Sequence, residues 1–296
     1  MIIINNMNQV FRKTVLKTMS IIPDKTYLKM LWNKYMDYPI NLKTPKTFSE
    51  KIVWLKLYDR KPLYTMLADK YAVKKYVSEK CGEQYVVRNF GMWKRFDDID
   101  FDTLPDQFVL KCNHASGGIA ICKDKRTFNK AAARQKLTNC LKSNFYYDYR
   151  EWVYKDIEPC IIAEEFIGDD LQDYRVYCFN GEPKIVYSYT NKSNAQGTKP
   201  EPEYCDIFDV NWKPLPYRQN SPARGDVPRP PHLEEMLEFS RKISQNIPFV
   251  RVDLYDNNGR VLFSECTFYP GGGMSKFRPQ EWDSILGSWL NLPINK

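Results

Sequence analysis

The chain has 296 residues, of which 43% are hydrophobic and 15% aromatic, with a negative mean hydropathy. That is a globular composition with enough chain for one large or two smaller domains. No apolar run approaches the roughly 20 residues of a membrane-spanning helix, and no basic stretch leads into an apolar one, so neither a spanning segment nor a secretory leader is expected. The net charge of +8 is uneven, with ten Lys/Arg against three acids in residues 1–56 and near balance elsewhere. A basic, apolar-studded end suits an anionic surface such as a membrane better than a nucleic acid, and no nucleic-acid partner is expected.

Residues 7–36 read as helical. Val10, Phe11, Val15, Met19 and Ile22 recur at three- and four-residue steps among Arg12, Lys13 and Lys17, and Leu28, Leu31, Trp32 and Tyr35 mark a second stretch after Pro23. This apolar face packs either on the protein's own core or against a membrane. Thr47-Phe-Ser-Glu50 opens a further helix, with Ser49 as its expected cap, and Leu67–Lys80 is read as one helix ended by Gly82. Strands are predicted at Val86–Met92, Phe108–Cys112 and Ile119–Cys122, the last two paired across a Gly-rich turn. Phe128–Leu141 is helical and Cys160–Phe166 is a buried strand. Asp173–Asn180 and Lys184–Thr190 flank Asn180-Gly181, a strong hairpin signal. Residues 191–231 read as a long functional loop with a strand inserted near Cys205–Trp212. His232–Gln245 is helical, and Phe249–Tyr255 and Arg260–Cys266 form a hairpin. Helices and hairpins without regular alternation indicate an α+β fold with antiparallel sheets. The eight cysteines contain no C-x-x-C pair and read as reduced thiols; with only His114 and His232 present, a zinc site is not expected.

Three constellations can carry chemistry. Phe108–Gly118 delivers Lys111 from a strand into the small-residue loop Ala115–Gly118, where glycines let backbone N–H groups close on phosphate oxygens. Alone, the same residues read as a hairpin turn with an extended lysine. Arg251-Val-Asp253 and Glu265-Cys-Thr267 alternate on neighbouring strands, so their side chains can share one face. Two inward carboxylates beside an arginine are costly to bury unless they bind a cation, and oxygen ligands of this kind suit Mg²⁺. The plain alternative is a salt bridge. Third, the apolar strand ending in Glu164-Glu165-Phe166-Ile167 precedes Asp173-Tyr-Arg175.

The order of these elements, with Lys70 in Ala68-Asp-Lys70, resembles an ATP-grasp ligase from about Leu67 to Met274. Thr47-Phe-Ser-Glu-Lys51, Leu110-Lys-Cys-Asn-His114 and Glu265-Cys-Thr-Phe-Tyr-Pro270 with Gly271–Gly273 narrow the resemblance to the TupA-like group. The resemblance implies an ATP-grasp fold: two α+β subdomains clasping ATP between antiparallel sheets. Its expected regions are a basic helical region (1–60), a lid subdomain (61–160) and a metal- and substrate-binding subdomain (161–296). It implies Lys70 and Lys111 on the phosphates, Ser116, Gly117 and Gly118 as the closing loop, and Glu164, Glu165, Phe166 and Ile167 as the adenine hinge. Asp173 falls on the ribose. Asp253, Glu265 and Thr267 fall on Mg²⁺, with Thr267 where the family usually has Asn. Arg251, Lys111 and Arg175 carry the phosphoryl and acyl-phosphate chemistry. The implied reaction joins a sugar or glycan carboxylate to an amine donor in the cytoplasm, with the inner membrane face as an added partner. A glycosyltransferase is the alternative, because Asp98-Ile-Asp100 and Asp100-Phe-Asp102 fit a D-x-D pattern.

Overall fold

The computed structural model describes residues 21–169, 171–190, 203–257 and 259–294. The helical reading of residues 7–20 lies outside the described residues. Helix α1 (Asp24–Tyr35) follows Pro23 and buries Tyr27, Leu28, Leu31 and Trp32, while Lys25, Lys29 and Lys34 stay exposed. In this helix, then, the apolar stripe packs on the protein's own core, against Val53 and Met274.

Helix α2 (Phe48–Tyr58) starts on a capping box: Thr47 accepts from the Glu50 N–H, and the Glu50 carboxylate returns to the Thr47 N–H. Thr47 therefore takes the cap expected of Ser49, whose N–H and hydroxyl both go to buried Asp283. The single helix expected over Leu67–Lys80 is two, α3 (Pro62–Ala68) and α4 (Ala72–Cys81). Asp69 breaks it, because its carboxylate accepts the N–H groups of Tyr71 and Ala72 and so caps a new helix. Gly82, at φ 123°, closes α4 as expected.

The four-stranded sheet has the order β1-β4-β2-β3, from β1 (Asn89–Trp93), β2 (Phe108–Cys112), β3 (Ile119–Cys122) and β4 (Ile161–Glu165). Helix α5 (Lys130–Leu141) covers one face through Ala133 and Leu137, which pack on Phe108, Leu110, Cys112 and Ala163. The short helix α6 (Phe145–Tyr149) follows it. Pairing places Ile161–Glu165 in this sheet and so cuts across the boundary expected at residue 161.

The five-stranded sheet has the order β7-β6-β5-β8-β9, from β5 (Gln172–Phe179), β6 (Glu182–Thr190), β7 (Tyr204–Asp209), β8 (Phe249–Asn257) and β9 (Arg260–Thr267). The β5–β6 turn takes Asn180 and Gly181 to φ 53° and 87°, the left-handed pair that a two-residue hairpin needs. Helix α7 (Leu233–Ser244) buries Met236, Phe239 and Ile243 among the hydrophobic residues of this sheet. At one end of the opposite face, Phe48 of α2 meets Phe179, Phe249 and Phe277 at ring distances of 5.0–6.1 Å. Helix α8 (Glu281–Trp289) is fastened to α2 by Lys51, which donates to the carbonyls of Gly287 and Leu290. Both sheets are wholly antiparallel, and the fold is α+β as the sequence implies.

Candidate active site

Alternation along β5 and β8 grades one face of the five-stranded sheet from aromatic to charged. Phe179, Tyr177, Arg175 and Asp173 follow one another on β5, opposite Phe249, Arg251, Asp253 and Tyr255 on β8. The register then sets Arg251 opposite Thr267 and Asp253 opposite Glu265 on β9. The shared face expected of these four residues is present. Arg251 donates to both oxygens of Asp253, at 2.6 and 2.5 Å, and reaches Glu265 at 3.8 Å. Arg175 lies 3.4 Å from Asp173 and 3.8 Å from Asp253, and stacks over the Tyr189 ring at 3.9 Å. Asp173 and Asp253 are each about 1% exposed, and the arginines beside them offset the hydration that a buried carboxylate loses.

The four-stranded sheet supplies the other wall. Glu164 on β4 is 5% exposed; Lys111 on β2 holds one of its oxygens at 2.5 Å and Lys74 on α4 the other at 2.7 Å. Burial drives the Glu164 carboxyl upward, but the two ammonium groups overcome it and hold the group below its ordinary range. Lys74 also donates to the Val87 carbonyl, and burial together with nearby Lys111 lowers its pKa.

Lys70 joins the two walls. Its Nζ lies 2.9 Å from Glu265, and it feels Glu164 and Asp253 as well. Burial opposes its charge, yet these carboxylates raise its pKa overall. Its position follows from Asn113 at the end of β2. The Asn113 carbonyl accepts the Lys70 N–H, its amide donates to Asp69 and to the Glu158 carbonyl, and its side-chain oxygen accepts from the Cys160 N–H. The turn after β2 leaves Ser116 and Gly117 exposed, with Gly117 at φ 86°, while the Gly118 carbonyl accepts from Cys112. A Cβ on Gly118 would stand 2.2 Å from the Cys140 Sγ.

Ion pairs and strand pairing thus gather Lys70, Lys111, Glu164, Asp173, Arg175, Arg251, Asp253, Glu265 and Thr267 where the two sheets meet, the candidate cleft. Glu165 and Phe166 point elsewhere. Glu165 pairs with Phe108 on the α5 side of the sheet, and both line an open cleft of about 870 Å³ with Phe90, Lys123 and Arg126. The Ile167 carbonyl accepts from the Asn257 amide, which fixes the crossing from one sheet to the other. Asp98 pairs with Arg95, and the Asp100 side chain accepts from the Asp102 N–H, so the D-x-D segments are local turns. Sequence reading gave no role to Lys74 or Asn113. Lys74 sits beside Lys75 in an ordinary-looking charged helix, and only its ion pair with Glu164 and its bond to the Val87 carbonyl distinguish the two.

Asp253 and Glu265 face each other as carboxylates, and Thr267 adds a hydroxyl two residues on. No group of three or more His, Cys, Asp or Glu that could hold a metal ion occurs among the described residues. Two carboxylates and a hydroxyl nonetheless fit Mg²⁺, which takes one or two carboxylates and completes its shell with water and phosphate.

No curated protein matches the chain. Among solved structures it is similar to D-alanine–D-alanine ligase from Bacillus anthracis, at 18% identity over 69% of this chain and 57% of that one, with a TM-score of 0.40. It is also similar to L-amino acid ligase from Bacillus licheniformis, at 12% identity over 86% and 57%, with a TM-score of 0.47. The chain spans little more than half the length of either. The family model described as TupA-like ATPgrasp matches residues 50–291, from the capping-box glutamate to the residues just past α8. That range contains both sheets and every side chain gathered at the cleft, and the chain belongs to the TupA-like ATP-grasp family.

Proposed function

We propose that the protein is an ATP-dependent carboxylate–amine ligase that forms an amide on a bacterial surface polysaccharide or its sugar precursor. The observation that supports this reading is the cross-strand set Arg251, Asp253, Glu265 and Thr267, joined by Lys70 to the Lys74–Glu164–Lys111 wall. When bound, Mg-ATP supplies the phosphoryl group that activates the carboxylate as an acyl phosphate. Lys70 and Lys111 bind and orient the phosphates, and Ser116–Gly118 covers them. Asp253, Glu265 and the Thr267 hydroxyl hold the metal. Arg251 and Arg175 place fixed positive charge where charge builds during transfer, which is where preorganised cations lower a barrier. Glu164 keeps Lys111 and Lys74 in place, and Asp173 meets the ribose. An amine then displaces phosphate to leave the amide.

The test incubates the protein with ATP, Mg²⁺ and a panel of uronic acids and amines and follows ADP and phosphate. ADP release that requires one acid–amine pair supports the ligase. UDP release from a UDP-sugar without ATP points instead to a glycosyltransferase.

We further propose that the basic amino end holds the enzyme at the inner membrane face. Among the described residues no helix is long and apolar enough to cross a membrane. Lys25, Lys29 and Lys34 are exposed on α1, and each basic residue near an anionic bilayer is worth about 1 kcal/mol. Removal of residues 1–22 lowers binding to phosphatidylserine vesicles and spares ATP turnover on a soluble substrate. Vesicle binding that ignores salt sinks this assignment.

A further inference from the structure

Lys56 on α2 is completely buried and belongs to none of the ion pairs of the cleft. Its Nζ donates to the Gly272 carbonyl at 2.7 Å and the Tyr149 carbonyl at 3.0 Å, and it lies 5.4 Å from the centre of the Tyr269 ring. An ammonium taken fully out of water is tolerated only where acceptors and opposite charge surround it. Opposite charge comes from Asp24 and, in part, from Glu151, which is 8% exposed and whose carboxyl burial pushes up to about 7 against the pull of Lys56 and Arg251.

The segment that Lys56 grips is unusual in its backbone. Pro270–Gly273 forms an arch in which Gly271, Gly272 and Gly273 stand at φ 60°, 64° and 74°. Glycine pays for this freedom with entropy, so an arch of three needs outside restraint to keep one shape. Within the arch, Gly272 donates to the Tyr269 carbonyl and Met274 to the Gly271 carbonyl. Its seat is α2 and α6: a Cβ on Gly272 would come 3.1 Å from the Tyr149 ring, and one on Gly273 2.8 Å from Ile52. The arch begins three residues after Thr267, whose strand partner is Arg251. It therefore lies at the Arg251 end of the cleft.

We infer that Lys56 is a positioning residue: its ammonium locks the Pro270–Gly273 arch onto α2 and Tyr149, and so fixes the wall of the cleft beside Arg251. The hold on the arch stands on geometry alone, whereas its consequence for catalysis rests on the ligase reading above. Lys56 contacts none of the residues assigned above to nucleotide or metal and acts only through the arch.

The test uses the full chain with Lys56→Met, which keeps the apolar stem without the charge, and Lys56→Arg as the conservative variant. Amide hydrogen exchange of peptides covering residues 269–275 is compared with that of β8 and β9. Affinity for a non-hydrolysable ATP analogue with Mg²⁺ is measured alongside. In Lys56→Met, exchange at 269–275 rises about tenfold or more while β8 and β9 keep their protection. Analogue affinity stays within about twofold, and Lys56→Arg recovers most of the protection. With the acid–amine pair in hand, kcat falls while KM for ATP holds. Unchanged exchange at 269–275, or a rise shared equally by β8 and β9, overturns the proposal. If Lys56→Met does not fold, Lys56→Gln is read by the same criteria, and failure of both to fold makes the lysine a core strut and overturns it too. A loosened arch with undiminished kcat refutes the catalytic consequence alone. No ADP release from the unaltered enzyme with any pair refutes the ligase reading and leaves the exchange result standing.

Discussion

The two walls of the cleft handle charge differently. On the four-stranded sheet, one carboxylate, Glu164, is shared by Lys111 and Lys74, so that wall carries an excess positive charge. On the five-stranded sheet, Arg251 answers Asp253, Arg175 answers Asp173, and Lys70 answers Glu265. The first wall is ready for an anion as it stands. The second is self-neutralised, and under the proposed function its carboxylates would hold a metal only if Arg251 and Lys70 turned to other partners. Phosphate groups are the natural ones, because they accept from the cations that a metal displaces.

Substitution on the second wall has the largest expected effect. Asp253→Asn and Glu265→Gln each remove a ligand charge and lower ADP formation about 100-fold or more, while far-ultraviolet circular dichroism keeps its shape. Turnover within a few-fold of the unaltered enzyme in both refutes the metal assignment. Thr267→Asn introduces the commoner ligand of the family and retains activity; complete inactivation would show that the hydroxyl serves another purpose.

The lysines separate the walls by binding. Lys111→Ala and Lys70→Ala each lose a charge-assisted contact worth about 1.5–3 kcal/mol, a fall in nucleotide affinity of roughly 10- to 150-fold. Calorimetry with a non-hydrolysable analogue reads this. Lys70→Ala also leaves Glu265 without its 2.9 Å partner, so added Mg²⁺ recovers part of its loss but none of the Lys111→Ala loss. Equal response of the two variants to Mg²⁺ removes the distinction between the walls.

Glu164→Gln tests the first wall through stability. It leaves two half-buried ammonium groups without their shared carboxylate and costs about 3 kcal/mol at pH 7, by urea unfolding. The Glu164 carboxyl titrates below its unfolded value, so its contribution is present above the ordinary carboxylate range and fades as pH falls through the lowered folded value. The variant therefore loses less stability than the unaltered protein on acidification. A parallel acid dependence in both proteins contradicts the pairing.

The glycines of the turn after β2 give the smallest effects. Gly118→Ala forces a Cβ to within 2.2 Å of the Cys140 Sγ and costs about 1–3 kcal/mol by overpacking. Gly117 has open space around it but stands at φ 86°, so Gly117→Ala costs about 1 kcal/mol of backbone strain alone. Thermal unfolding ranks them, and the reverse order shows that φ, not crowding, governs this turn.

Much of this was legible because it is local. Period-two alternation in Arg251-Val-Asp253 and Glu265-Cys-Thr267, with a hairpin turn between the strands, brings the four side chains to one face without reference to any other part of the chain. The Asn180-Gly181 turn and the small-residue loop after Lys111 were readable for the same reason. The break at Asp69 was less visible. An aspartate inside an apolar helical pattern shows itself as a cap only when its carboxylate is seen bonding the next N–H groups.

By itself, the sequence determined the antiparallel hairpins, the α+β character and the identity of the charged side chains that the strands aim inward, since each depends on spacing along a few residues. Tertiary structure alone decided which charges neutralise which. Lys74 and Lys75 are neighbours of one type, yet only Lys74 meets Glu164. Glu164 and Glu165 are likewise adjacent, yet only Glu164 enters the cleft. Lys56 looks like a surface residue at the end of a helix and is instead fully buried against the glycine arch. The reason is physical: burial and Coulomb energy depend on distance in space, and α2, α4 and β4 are brought to the cleft by packing between segments far apart in the chain.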